Sequence, residues 1–132
     1  MFAIPKLGAV VIDTWNNEPH VNEALMDLVD IATPHIAGFS YQAKQNVTAT
    51  VVRAVARYFG ISELFEFFPQ TTVAELAAVK LDLKGKSQGQ IASEFQYNYP
   101  VFTDDFMFRM NPYDLDGLRN RYNYRREFFV DY

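Results

Sequence analysis

Apolar and polar positions along the chain fall into short runs of two different periods. Gly8 to Thr14, GAVVIDT, is a β-branched run bounded by Gly and a polar cluster, which predicts a buried parallel strand with both faces covered. Asp13 then stands at the carboxyl end of the strand, the end where ligands bind in open α/β sheets. In the following WNNEPHVNEALMDLV, Asn16, Asn17 and Pro19 make a loop, and Asn22 is placed to cap a short helix through Leu28. DIATPH forms a second apolar segment, ended by Pro34 and His35. From Tyr41 to Tyr58 the period becomes helical, with Val47, Val51 and Val55 on one face together with Thr48, Ala54 and Tyr58, and Gly60 closes this long amphipathic helix.

SELFEFFPQ is aromatic and punctuated by proline, so it reads as a linker that must bury its rings, and it divides the chain into residues 1–62 and 63–132. AAVKLDLKG then alternates as a strand, Val79, Leu81 and Leu83 on one face, Lys80, Asp82 and Lys84 on the other, with Gly85 at the turn. Ser87 caps a helix running toward Tyr99, along which Ile91, Phe95 and Asn98 or Tyr99 recur at helical spacing, and Pro100 stops or kinks it. Pro112 suits the first turn of a further helix to Tyr122, with a stripe of Leu115, Leu118 and Tyr122. RREFFVDY reads as a last strand. The crowd of aromatic residues after Leu64 exceeds what so small a unit buries, which points to an apolar surface for a partner chain.

Composition narrows the functions. With 132 residues, 49% hydrophobic and 21% charged, the chain has the size and makeup of one packed globular domain. A formal net charge of −4 argues against broad polyanion binding while leaving room for a small anionic substrate. Arg119, Arg121, Arg125 and Arg126 are interleaved with Asp114, Asp116, Glu127 and Asp131, the pattern of a salt-bridged face and not of a nucleic-acid patch. The absence of cysteine excludes disulfides and thiolate metal sites and fits a reducing cytoplasm. Only Lys6 flanks the apolar amino-terminal stretch and Asp13 interrupts it, so neither a signal peptide nor a membrane span is expected.

Three polar residues stand at or just beyond apolar strands: Asp13, Glu18 and His35. A carboxylate beside a histidine makes an acid/base catalyst, because the anion favours the protonated ring and fixes its tautomer. By spacing alone, a histidine after a strand is more often a satisfied structural residue than a catalyst.

The wording around these residues adds to the pattern. GAVVIDTWNNEP followed by LVDIATPHIAG resembles the end of the nucleotide-binding domain of D-2-hydroxyacid dehydrogenases, in which a hydrophobic-Asp-hydrophobic-aromatic run leads to Glu-Pro and then to a Pro-His-x-Ala/Ser-Gly turn. Within that superfamily, HIAGFSYQAKQNVT and DLDGLRNRYNYRREF resemble the post-histidine helix and the dimerisation domain of the erythronate-4-phosphate dehydrogenases. The resemblance covers essentially the whole chain and is strongest up to Gly60. It implies an α/β fold: the carboxy-terminal part of a Rossmann-type NAD-binding domain, then a small α+β dimerisation domain.

The same resemblance implies a fragment of an NAD-dependent oxidoreductase that oxidises 4-phospho-D-erythronate, a small phosphorylated 2-hydroxy acid, to the 2-oxo acid on the way to pyridoxal 5'-phosphate. By it, His35 is the catalytic acid/base and Glu18 its partner. Asp13 touches the nicotinamide end of the cofactor, and Gly38 lies against the same ring. Phe39 occupies a substrate-binding position where the family often has Tyr, and Tyr41 stands close in sequence. The implied partner is a second copy, a homodimer through residues 63–132; no nucleic acid, membrane or metal is implied. The chain contains no G-x-G-x-x-G phosphate loop and no Asn-x-x-Arg-Gly segment for a substrate-binding arginine. Alone it is therefore expected to bind NAD poorly and to turn over nothing measurable. The competing expectation is a free-standing dimerisation or regulatory module without catalysis.

Overall fold

The computed structural model describes residues 8–70 and 78–131. The expectation about the amino-terminal stretch falls largely on residues 1–7, outside that description. Contacts group the chain into two units, each built from separated segments: residues 1–37 with 99–122, and 38–98 with 123–132. The fold is mixed helix and strand with small parallel sheets, the coarse class expected.

In the first unit, strands β1 (Val11–Ile12) and β2 (Ile31–Ala32) pair in parallel, Val11 opposite Ile31 and Ile12 opposite Ala32. The connection carries helix α1 (Glu23–Met26), which Asn22 caps as expected, its side chain accepting from the Leu25 amide at 3.0 Å. The strand expected over residues 8–14 is regular for only two residues, and its faces are not both covered, since Val11 is 59% exposed. The reason is architectural: helix α4 (Val101–Met110) packs against β2, and a two-stranded sheet so short has little beyond that to bury.

α4 was not expected after Pro100, yet it supplies the centre of the core. Phe108, fully buried, meets Trp15 edge to face with ring centroids 5.7 Å apart. Met26, Val29, Ala32 and Leu115 close the cluster. Arg109 fastens α4 to the rest through a forked set of bonds: Nε donates to both Asp105 oxygens at 2.9 and 3.1 Å, Nη1 to the Met26 carbonyl at 2.6 Å, and Nη2 to the Val29 carbonyl at 3.0 Å. Asp105 in turn accepts the Ala32 amide at 2.6 Å, so one ion pair secures both the end of α1 and the end of β2. Helix α5 (Leu115–Asn120) is shorter than the expected 112–122 and leaves Pro112 before its first turn.

In the second unit, α2 (Tyr41–Phe59) runs from a Ser40 cap to Gly60, which adopts φ 70°. The helix agrees with the sequence reading but its inward face does not. Val47, Val51, Val55 and Tyr58 are 61%, 56%, 48% and 83% exposed, whereas Ala49 and Ala56 are buried. Those alanines, seven residues apart, lie on one helical stripe. The following segment begins with a 3-10 turn, Ser62–Leu64, and accepts a 2.8 Å bond from Arg53 Nε at the Phe67 carbonyl. Its rings are only partly covered, Phe68 being 43% exposed.

Strands β3 (Val79–Asp82) and β4 (Phe128–Asp131) are parallel neighbours, Leu81 opposite Val130. The alternation read from the sequence holds: Leu81 and Leu83 are buried while Lys80, Asp82 and Lys84 are exposed. Gly85 turns the chain with φ 70° into helix α3 (Gln88–Asn98), whose Phe95 packs on Phe128 at 5.3 Å. Ser87 and Gln90 form a reciprocal cap, the Ser87 amide donating to Gln90 Oε1 at 2.8 Å. At the other end of the unit, buried Ser40 accepts the Ala43 amide at 2.9 Å and donates to Glu127 Oε1 at 2.7 Å, joining the start of α2 to the approach to β4.

Candidate functional site

Parallel pairing of β1 and β2 brings their carboxyl ends side by side, so the loops that follow, one carrying Glu18 and the other His35, meet although they are 17 residues apart. Asp13, directly after β1, ties them. Its Oδ1 accepts the Thr33 hydroxyl at 2.7 Å and the Ile36 amide at 2.8 Å, and its Oδ2 accepts the Ala37 amide at 3.1 Å. Trp15 adds a further tie, its indole N–H donating to the Thr33 carbonyl at 2.9 Å. Between these anchors His35 takes a left-handed conformation, φ 58°, uncommon for any residue but glycine. Its neighbours Pro34 and Ile36 are buried, while the imidazole is 44% exposed.

His35 Nδ1 lies 2.9 and 3.1 Å from the two Glu18 oxygens. A nitrogen between carboxylate oxygens must donate, which places the proton of the neutral ring on Nδ1 and leaves Nε2 as the basic lone pair. Glu18 is itself held, Oε1 accepting the Trp15 amide at 2.8 Å. Partial burial pushes the Glu18 carboxyl upward. The hydrogen bonds from His35 and the Trp15 amide, helped by the charges of His35 and Arg119, outweigh that, so its pKa is held below the ordinary value of 4.5. The result is an oriented carboxylate–imidazole pair, with an Nε2 that no other described residue engages, able to take or return a proton.

Of the other positions singled out from the sequence, Gly38 and Phe39 open the second unit. Gly38 is exposed, and a Cβ added there would meet no described residue within 4 Å, so none of them demands glycine at that position. Phe39 packs edge to face on Tyr124 at 5.7 Å, and Lys44 Nζ sits 3.9 Å over its ring, a cation–π contact. Tyr41 touches the same Tyr124 at 5.8 Å. Thr33 and Trp15, which hold the site together, were not singled out from sequence; the only signal was an aromatic placed two residues beyond a strand-end acid.

A groove of about 430 Å³ is lined by Trp15, Asn16, Asn17, His20, Val21, Asn22 and Leu25; neither Glu18 nor His35 is among its lining residues. Among the described residues no group of acids and histidines could hold a metal ion, and no helix is long and apolar enough to cross a membrane.

No family model matches the chain. Among curated proteins it is 34% identical over 125 residues to the erythronate-4-phosphate dehydrogenase of Pseudomonas putida, an alignment covering 89% of this chain and 33% of the relative. The enzyme of that name from Teredinibacter turnerae is 33% identical over 128 residues (91% and 33%), and that from Bacteroides thetaiotaomicron 31% over 121 residues (92% and 32%). The chain spans about a third of the length of the curated relatives it matches.

Proposed function

Because this chain is related, over about nine-tenths of its length, to one third of the erythronate-4-phosphate dehydrogenases, we propose that it is the carboxy-terminal part of such an enzyme. On this reading residues 1–62 are the end of a Rossmann-type NAD-binding domain with its long helix, and residues 63–132 a linker and α+β dimerisation domain. The whole protein oxidises 4-phospho-D-erythronate to the 2-oxo acid in the pathway to pyridoxal 5'-phosphate, in the cytoplasm. The single observation that carries the catalytic part is the Glu18–His35 pair, oriented through Nδ1 on an imidazole that is 44% exposed.

NAD would accept the hydride in the whole enzyme. The residues of this chain do not by themselves fit NAD: it has no glycine-rich phosphate turn, and the Asp13 oxygens are engaged by the 33–37 segment. What its own residues do is move a proton: neutral Nε2 accepts the substrate hydroxyl proton, and Glu18 stabilises the imidazolium that results. The exposed valine face of α2 supports a covering element in the longer protein, and exposed Phe102, Phe106 and Met110 on α4 support self-association.

The test begins with the intact mass of the native product carrying the His35 peptide. A polypeptide about three times longer is expected, in keeping with the third of each relative that this chain matches. In that protein, NADH formation from 4-phosphoerythronate should fall by roughly 10²–10⁴-fold on His35→Gln, with assembly unchanged. A native product of this chain's own length that self-associates without turnover would favour the module reading instead.

A further inference from the structure

We propose that Asp13 is a positioning residue for His35: by accepting two successive amides it holds residue 35 in its left-handed conformation and so keeps the imidazole on Glu18. This rests on reading His35 as the proton carrier. The Ile36 and Ala37 amides, at 2.8 and 3.1 Å from the two oxygens of one carboxylate, converge on a single acceptor group from consecutive residues. Convergence of that kind constrains the backbone immediately before it, and His35, at φ 58°, is where the constraint appears. An L-residue released from such a grip returns to the extended or right-handed region, where its side chain leaves in another direction.

Thr33 adds a hydroxyl to the same Oδ1, so that oxygen receives two donors and both its lone-pair directions are occupied. Asp13 therefore acts through His35 before any contact with a cofactor. Both oxygens of Asp13 act as acceptors in this arrangement.

The experiment reads the tautomer of His35 by ¹⁵N NMR of the whole chain at about pH 9, well above the ordinary imidazole range near 6.5, in a His20→Gln background that leaves a single histidine signal. It needs neither cofactor nor turnover, so its outcome is separate from that of the dehydrogenase reading. In the parent chain the Nδ1–H form is expected to predominate. In Asp13→Ala the ratio of Nδ1–H to Nε2–H is expected to fall by about tenfold, which is 1.4 kcal/mol. In Asp13→Asn, which keeps one acceptor oxygen, the fall should be smaller.

Thr33→Val leaves both amide bonds in place and should change the ratio by less than about twofold. An unchanged ratio in Asp13→Ala overturns the proposal, as does a tenfold fall in Thr33→Val. Loss of the buried Trp15 emission in both Asp13 variants would also overturn it, assigning Asp13 to the fold alone.

Discussion

Replacing Arg109 with Met should weaken the first unit more than any other single polar substitution in it. The guanidinium makes two bonds to Asp105 and one each to the Met26 and Val29 carbonyls, and its side chain is 29% exposed. Charged hydrogen bonds contribute about 1.5–3 kcal/mol each when buried. Solvent reaches this group, and bonds sharing one donor group do not add, so a total of about 2–4 kcal/mol is expected. The loss also leaves Asp105 with an uncompensated charge beside the Ala32 amide. The single tryptophan, Trp15, lies in the core that Arg109 helps to close, so its fluorescence during urea unfolding reports on this unit directly. With a slope of about 1.5 kcal/mol per molar urea, the midpoint should drop by roughly 1–3 M. Arg109→Lys, which cannot reproduce the fork, should fall between the two. A midpoint within about 0.3 M of the parent for Arg109→Met would refute the idea that this clamp holds α4 in place.

Phe108→Ala should cost about 3–5 kcal/mol and shift Trp15 emission to the red, because the ring filling the core and meeting the indole edge is removed. Ser40→Ala should cost about 1–2 kcal/mol in thermal or urea unfolding, since the buried hydroxyl both caps α2 and bonds Glu127. For Glu18, the folded pKa lies below its unfolded value of 4.5, so its stabilisation is fully present above that pH and is lost as pH falls through the lowered folded value. Urea titrations below pH 4.5 should therefore show a steeper decline for the parent than for Glu18→Gln; parallel curves would contradict the assignment.

Local signals were legible where their physics is local. α2 is bounded by Gly60 at the left-handed position read from sequence, Asn22 and Ser87 cap as their side-chain oxygens suggest, and β3 alternates as written. What failed depended on distant partners. The valine stripe of α2 is the more hydrophobic face, yet the alanine stripe is inside: which face is covered depends on what packs there, which residue type alone does not tell. α4 was not read, although Phe102, Phe106 and Met110 recur at helical spacing; that stripe is exposed, and only Phe108 of the helix is buried. The Arg109 clamp joins groups 80 and 83 residues apart, a separation that no window can see. At the site, the residue types of Glu18 and His35 were visible, and their approach follows from the β1–β2 pairing. That Asp13 faces the histidine loop needed the coordinates.

The discontinuity of both units constrains the order in which the molecule can be made. The backbone passes from one unit to the other after Ala37, Asn98 and Tyr122, so neither is complete when synthesis has reached residue 40 or even residue 98. Phe108 and Leu115 must arrive before Trp15, Met26 and Val29 have anything to pack on, and β4 before β3 has a neighbour. Until then Leu81, Leu83 and the indole are exposed to water and to other chains, for about ten seconds at ordinary rates of synthesis. Pairings this distant in sequence also close slowly. A nascent chain halted near residue 95 should thus bind hydrophobic-binding chaperones more than one extended well past Asp131.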